Sequence, residues 1–260
     1  MLTHALVGLL VAGTISLAAR SARSLTTSGA IAATGMGTLA VTVGWNWGAL
    51  LILYFVSSTV LSRLGRSEKE KRTSAVVAKG GQRDAIQVLA NGGVFSAAAV
   101  AMLIEPHVRW IALGAGSLAA AAADTWATEI GTLYGGTPRS ILSWRSVPTG
   151  TSGGITPIGT FAAVAGAAFV GLIAMFLGWT PRMAAVVAIG GIAGAMIDSV
   201  IGATVQSRRW CDACERETER MLHDCGSETR RLRGVSWLDN DVVNFVSNAA
   251  GGILSALLMR

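Results

Sequence analysis

The chain reads as an all-α polytopic membrane protein of about eight transmembrane helices with two cytoplasmic loops. Three observations predict this. Just over half of the residues are hydrophobic, at 52%, and only 14% are charged. Apolar runs of about 20 residues recur, the length that crosses a bilayer. The Lys and Arg residues sit almost entirely in alternate breaks between those runs. One integral membrane domain, 1–260, is expected, with its cytoplasmic loops at about 63–84 and 207–237.

Breaks at charged, Pro and Trp/Asn clusters place the spans at Leu2 to Leu17, Gly29 to Val43, Trp47 to Leu64, Ala85 to Ile104, Arg109 to Leu133, Ile155 to Leu177, Arg182 to Gln206 and Val242 to Met259. With eight spans, the loops near Arg20, Gly65 to Gly80, Thr137 to Gly150 and Ser207 to Trp237 share one side. They hold all of the 21 Lys and Arg except Arg109, Arg182 and Arg260. The positive-inside rule puts those loops in the cytoplasm and both termini outside, in what reads as a prokaryotic cell membrane. The first segment lacks a basic n-region and is kept as a span rather than a signal peptide. The net charge of +6 is mostly loop charge and suits anionic lipid headgroups or phosphates. The basic residues are not interleaved with aromatics, which argues against nucleic acid as a partner. A homodimer is left open.

The first cytoplasmic loop contains Arg66-Ser67-Glu68-Lys69-Glu70-Lys71-Arg72, a run that reads as a solvated helix. It ends in Lys79-Gly80-Gly81-Gln82-Arg83-Asp84, where Lys79 and Arg83 beside flexible backbone are either phosphate ligands or anchors at a hinge. The second loop holds Cys211-x2-Cys214 and His223-x-Cys225, four soft or borderline ligands. Their spacing fits a tetrahedral zinc site, although one intervening residue in the second pair is tight. A cytoplasmic location keeps the thiols reduced. A structural zinc site and unliganded cysteines both stand open at this point.

Polar residues in the spans gather on helix faces. Asp124, Thr125, Thr128 and Glu129 share one side of the fifth span, and Gly191, Gly194, Asp198, Gly202 and Gln206 share one side of the seventh, with Ser199 beside them. The fourth and eighth spans echo each other, with Asp84, Gln87 and Asn91 spaced as Asp241, Asn244 and Asn248 are. Between the fifth and sixth spans, Gly150-Thr151-Ser152-Gly153-Gly154 is expected to open a helix whose unpaired N–H groups and positive end bind an anion, with Arg139 and Arg145 upstream. It is not a Walker A motif, since no Lys follows the glycines.

A carboxylate at membrane depth costs several kcal/mol, about 3 on insertion scales, and is by default functional. Asp84, Asp124, Glu129, Asp198, Asp239 and Asp241 all lie within the spans or at their cytoplasmic ends. Hydrogen-bonding between helices accounts for one or two of them. The set as a whole, with Asn91, Asn240 and Asn244 adding neutral oxygens, is the hard-oxygen ligand set of Mg²⁺ in the company of phosphates.

The stretches Ala-Asp-Thr-Trp-Ala-Thr-Glu-Ile-Gly (ending at Gly131), Gly-Thr-Ser-Gly-Gly-Ile-Thr, Asp198-Ser199-x-Ile201-Gly202-Ala203 with Gln206, and Asn240-Asp241-x-Val243-Asn244 resemble the membrane family called domain of unknown function 92. The resemblance runs from Arg23-x-Leu25-Thr26 to Gly251, and its first motif is highly specific. The family includes plant phytyl-phosphate kinase and eukaryotic transmembrane protein 19. The resemblance implies phosphoryl transfer from a nucleoside triphosphate, CTP above all, onto an isoprenyl monophosphate to give the diphosphate. On that reading Asp124, Glu129, Asp198 and Asp241 hold one or two Mg²⁺, and Asn91 and Asn244 complete or orient the shell. Lys79, Arg83 and Arg139, with Gly150, Thr151, Ser152, Gly153 and Gly154, hold phosphates; Thr125, Thr128, Gln206 and Asn240 complete the nucleotide site. The prenyl tail lies between Gly-rich helix faces. An ion-coupled transporter and a CTP-dependent cytidylyltransferase remain the alternatives.

Overall fold

The structure is a computed structural model and describes residues 2–259. It is mainly helical. In chain order come α1 (Leu2–Ser21), α2 (Thr27–Val43), α3 (Trp45–Arg63), the short α4 (Arg66–Thr73), α5 (Ala85–Ile104), α6 (Val108–Tyr134), strands β1 (Arg139–Ser140) and β2 (Gly154–Ile155), α7 (Pro157–Phe176), α8 (Pro181–Thr204), strands β3 (Arg208–Cys211), β4 (Arg216–Thr218) and β5 (Arg230–Arg233), and α9 (Asn240–Leu258).

Helix starts follow the local chemistry. Thr26, Thr156 and Thr180 cap α2, α7 and α8 by accepting from the N–H three residues on, and Pro157 and Pro181 occupy the first helical turn, where no N–H is needed. Asp84 and Gln87 form a reciprocal capping box on α5, and Asp239 accepts from the N–H groups of Asp241 and Val242 on α9. Thr34, Thr38 and Thr42 inside α2 return their hydroxyls to the carbonyl four residues back, at 2.7–2.8 Å, which satisfies these hydroxyls on an apolar helix.

Six of these helices are long and apolar enough to cross a membrane by length and composition: α1, α3, α5, α7, α8 and α9. Helix α2 has 17 residues and falls just short. Helix α6 is the longest, at 27 residues, but its Ala/Gly run and two carboxylates make it less hydrophobic than its neighbours. It occupies the centre. Every residue from Gly114 to Ala123 is buried, and α3, α5, α7, α8 and α9 all pack on it. Large apolar side chains such as Leu10, Ile31, Ile104, Phe161 and Phe176 face outward, as lipid contact requires.

Small residues allow this close packing. A methyl added at Gly191 would lie 2.7 Å from the Cβ of Ala119 on α6, and one at Gly251 would lie 2.7 Å from the Gly190 carbonyl on α8. Ser255 ties α9 to α8 by donating to the Val186 carbonyl at 3.1 Å, and Asn248 ties α9 to α5 through the Ala90 carbonyl at 3.1 Å.

Two corrections concern boundaries. Helix α8 ends at Thr204 with Val205 as its cap, so Gln206 lies off the helix rather than on its polar stripe. Helix α7 begins at Pro157, after a β1–β2 ribbon that pairs Arg139 with Ile155 and Ser140 with Gly154, so Ile155 belongs to a strand and not to the span. The segment between α8 and α9 also carries a three-stranded antiparallel sheet, in the order β4-β3-β5, that helical periodicity does not reveal.

The packing predicts that Gly191→Leu destabilises the bundle by about 1–3 kcal/mol, the usual cost of overpacking. A lower thermal midpoint in detergent, against an unchanged midpoint for the lipid-facing Leu10→Ala, would show it.

Candidate functional site

The carboxylates separate into three groups by their partners. Asp84 and Asp239 are helix caps: Asp84 Oδ1 accepts from the Gln87 N–H, and Asp239 Oδ1 from the N–H groups of Asp241 and Val242. Capping gives these two of the six a structural role.

Glu129 and Asp241 are ion-paired. Glu129 accepts from Ser62 Oγ at 2.6 Å and from the ammonium of Lys69. Lys69 is 7% exposed and also donates to the carbonyls of Leu61 and Ser62 at the end of α3, at 2.8 and 3.1 Å. This corrects the reading of the charge run as a solvated helix. Arg66 with Glu70 and Glu68 with Arg72 do form exposed i,i+4 pairs, but Lys69 turns inward. Arg72 also donates to the Thr132 and Leu133 carbonyls, which places a cation at the negative end of α6. Lys79 Nζ lies 2.5 Å from Asp241 Oδ2 and 3.2 Å from Asp84 Oδ2, so one ammonium clasps the first carboxylates of both echoing helices.

Asp124 on α6 and Asp198 on α8 make up the third group. They lie within electrostatic reach of each other, and Asp124 within reach of Glu129. Asp198 accepts from Ser247 Oγ of α9 at 2.9 Å. Among the described residues neither Asp124 nor Asp198 has a cationic side chain within ion-pair distance.

On one side of this group lies a cleft of about 320 Å³ between α1, α2, α3 and α5. Its walls are apolar, with Ile15, Met36, Val41, Leu51 and Phe55, and its polar lining is Arg83, Gln87, Asn91, Tyr54 and Thr125, the residue after Asp124. Arg83 donates to Ser62 Oγ at 3.0 Å, so a chain of polar contacts runs from the cleft through Ser62 to Glu129 and Lys69. Asn91 is fixed by donating to the Gln87 carbonyl at 2.9 Å.

On the other side lies the Gly-rich loop, which does not open a helix as expected. The N–H groups of Thr151 and Gly154 are already bonded to Pro148 and Thr151 carbonyls, and the positive helix end begins beyond the loop, at Pro157. Gly153 adopts φ +77° and packs against Ser199 and Ala203 of α8, where any side chain would clash. Ser152 Oγ donates to Glu219 at 2.5 Å, and Gln206 Nε2 donates to the same oxygen at 3.0 Å. Arg139 is exposed and donates to the Trp144 carbonyl within its own hairpin. Thr128 and Asn240 are exposed, and Asn244 is half-buried with its carbonyl taken by Ser247.

Sequence reasoning missed Lys69, Ser62 and Glu219. Lys69 was signalled: it alone among the cations of its run has no acidic residue three or four positions away on either side. Glu219 carried no such mark. It follows β4 and docks the second loop on the first, its N–H donating to the Val76 carbonyl at 2.8 Å. Burial raises its pKa, against the hydrogen bond from Ser152 and the charge of Arg208.

A family profile described as integral membrane protein DUF92 matches residues 10–252. The chain belongs to this DUF92 family. It is 30% identical to Protein PGR of Arabidopsis thaliana, covering 95% of this chain and 93% of that one. It is 28% identical to an uncharacterized membrane protein of Methanocaldococcus jannaschii (97% and 93% covered) and 29% identical to Protein VTE6, chloroplastic, of Arabidopsis thaliana (91% and 66% covered). No solved structure matches the chain. The DUF92 match spans every site residue named above and the cysteine loop.

Two outcomes follow from the ion pairs. Lys69→Met leaves Glu129 half-buried without its cation, and costs about 1–3 kcal/mol, less than the roughly 3–5 kcal/mol of a fully buried broken pair because Glu129 retains some solvent. Adding Glu129→Leu recovers most of that, read by denaturation in detergent. The Lys79 clasp is pH-dependent. Its pKa is raised: burial disfavours the ammonium, but hydrogen bonds and charge from Asp241 and Asp84 outweigh it. Asp84 is lowered, chiefly by the Gln87 N–H. A raised lysine stabilises below the ordinary amine range and a lowered carboxyl above the ordinary carboxylate range, so the clasp is whole between them. Lys79→Met should therefore lower the thermal midpoint at pH 7, and the gap to wild type should close below roughly pH 3.

Proposed function

We propose that the chain is a membrane-embedded kinase that transfers a phosphoryl group from a nucleoside triphosphate, CTP in first place, to an isoprenyl monophosphate. The observation that carries the reading is the apolar cleft whose polar lining, Arg83, Asn91 and Thr125, adjoins Asp124. An amphiphile with one long apolar tail and one phosphate fits that gradient. Kinship within the DUF92 family supports the same assignment.

Phosphoryl transfer asks for positioning and for positive charge around the transferring group. Asp124 and Asp198 are carboxylates with no cationic partner among the described residues, a donor set that fits Mg²⁺ bound together with phosphates. When bound, Mg²⁺ offsets charge on the phosphate oxygens and aligns donor and acceptor. Arg83 receives the acceptor phosphate at the polar end of the cleft, and Lys79, 43% exposed at its side chain, meets the nucleotide phosphates from the loop side. An acceptor oxygen attacks the γ-phosphorus, the bond to the β,γ-bridging oxygen breaks, and the nucleoside diphosphate leaves with that electron pair. The acceptor is already an anion, so no general base is required, which agrees with the absence of His from the site. Glu129 and Asp241 are assigned the task of holding Lys69 and Lys79 in place. The reading sets the site toward the cytoplasm of a prokaryotic cell, with both termini outside.

Purified protein with Mg²⁺, each nucleoside triphosphate and a series of prenyl monophosphates should yield prenyl diphosphate and nucleoside diphosphate. Pyrophosphate release would instead make it a cytidylyltransferase, and the absence of either product would sink the kinase. Asp124→Asn should lower the rate by roughly a hundredfold or more while the thermal midpoint holds. Ala33→Trp, in the cleft wall, should raise KM for long prenyl chains and leave the shortest acceptors unaffected.

A further inference from the structure

The 31 residues from Ser207 to Trp237 fold into the β4-β3-β5 sheet with almost no apolar interior. Met221, Leu222, Leu232 and Trp237 are exposed, while the buried side chains are Arg208, Cys211, Thr218, His223 and Thr229. A unit of this size does not hold itself together without a core, and natural ones rely on disulfides or a metal. The cysteines here are free thiols.

Turns at one end of the sheet gather four ligating side chains. Cys211 closes β3, Cys214 sits in the turn to β4, and His223 and Cys225 lie in the turn before β5. The ligand atoms all lie within 4.8 Å of one another. Cys211 Sγ is 3.6 Å from Cys225 Sγ, and His223 Nδ1 is 3.3 Å from Cys225 Sγ. Sulfurs at the corners of a zinc tetrahedron, with Zn–S of about 2.3 Å, stand about 3.8 Å apart, so these separations match its edges and are too long for a disulfide. The single residue between His223 and Cys225 is accommodated by a tight turn in which the Gly226 N–H donates to the His223 carbonyl at 2.8 Å.

We propose that Cys211, Cys214, His223 and Cys225 bind one zinc ion whose purpose is structural: it folds the sheet and thereby latches the Gly-rich loop to the bundle. Three thiolates and an imidazole select zinc among abundant divalent ions, and four protein ligands leave no open position for chemistry. The thiol protons pass to solvent on binding. The far side of the sheet makes the latch. Arg208, fully buried, donates to the Ser152 carbonyl, and Glu219 accepts from Ser152 and Gln206. Glu219, Thr218 and Arg220 also reach Val76 and Val77 of the first loop. The zinc thus fixes where Ser152 stands without touching it, and the inference holds whatever reaction the bundle performs.

The test is elemental analysis of protein expressed without a polyhistidine tag and purified in detergent without chelator. One zinc per chain is expected in wild type, and strong loss in Cys214→Ser and in Cys225→Ser. Cobalt exchanged into wild-type protein should give the thiolate charge-transfer and tetrahedral d–d bands, which reports the site even where a variant fails to fold. Hydrogen exchange after zinc removal should rise across 207–237 and 148–154, while α6 stays protected. Iron in place of zinc, wild-type protein lacking metal, a Cys211–Cys225 disulfide in that protein, or full zinc retention in Cys214→Ser would each overturn the proposal.

Discussion

Close approach of helix backbones around α6 is the constraint on which the rest depends. From Gly114 to Ala123 every residue of this helix is buried, and its partners meet it with glycines such as Gly191 and Gly194. Lipid tails are as apolar as Leu, so helices inside a bilayer gain little from hiding apolar surface and associate through packing and polar contacts instead. An interface of small residues maximises that packing, and it also leaves little room for water. Charges placed at the C-terminal end of α6 then need partners supplied by the protein.

Those partners come from outside the spans. Lys69, from a helix with no apolar character, and Lys79, from a flexible Gly-containing segment, reach Glu129 and Asp241 respectively. Each pair joins the segment between α3 and α5 to the end of a span, so this segment is fixed by the same charges whose burial it offsets. An ion pair of this kind adds little net stability but makes any other arrangement costly. It specifies where the loops sit, and through Arg83 and Ser62 it reaches the cleft. Asp124 and Asp198 stand apart: among the described residues no cationic side chain lies within ion-pair distance of either, and carboxyl groups at membrane depth are costly enough to point to function.

Most of the helical architecture could be read from the chain because apolar run length is a direct consequence of bilayer thickness, and caps such as Thr180-Pro181 mark helix starts by local chemistry alone. Helix α6 was legible as the apolar run from Arg109 to Leu133, and it extends to Tyr134. What stayed hidden depended on contacts distant in sequence. Periodicity put Gln206 on the α8 stripe, but the helix stops at Thr204 and the side chain turns to Glu219. The glycines of 150–154 suggested a helix-end cradle, whereas pairing of Ser140 with Gly154, which no local signal announces, makes them the turn of a ribbon. Roles divided the same way: the sequence marked every carboxylate as expensive, but only the fold separates caps, ion pairs and the remaining two.

The layout of the bundle bears on how a phosphoryl transfer could proceed there. Thr125 and Asn91 line the cleft on the α1, α2, α3 and α5 side, while Gly153 packs against Ser199, next to Asp198, on the α8 side. Helix α6 stands between them and carries Asp124. In the proposed reaction, a tailed acceptor enters from the cleft and the nucleotide from the loop side, so the two phosphates approach the Asp124 and Asp198 pair from opposite directions. In-line displacement requires that opposition, since the attacking and leaving oxygens lie on either side of the phosphorus. A single shared pocket would have to rotate one substrate past the other. In that proposal the two substrates come in on either side of helix α6, which removes that need, with the prenyl tail held in the apolar cleft and the nucleotide in water.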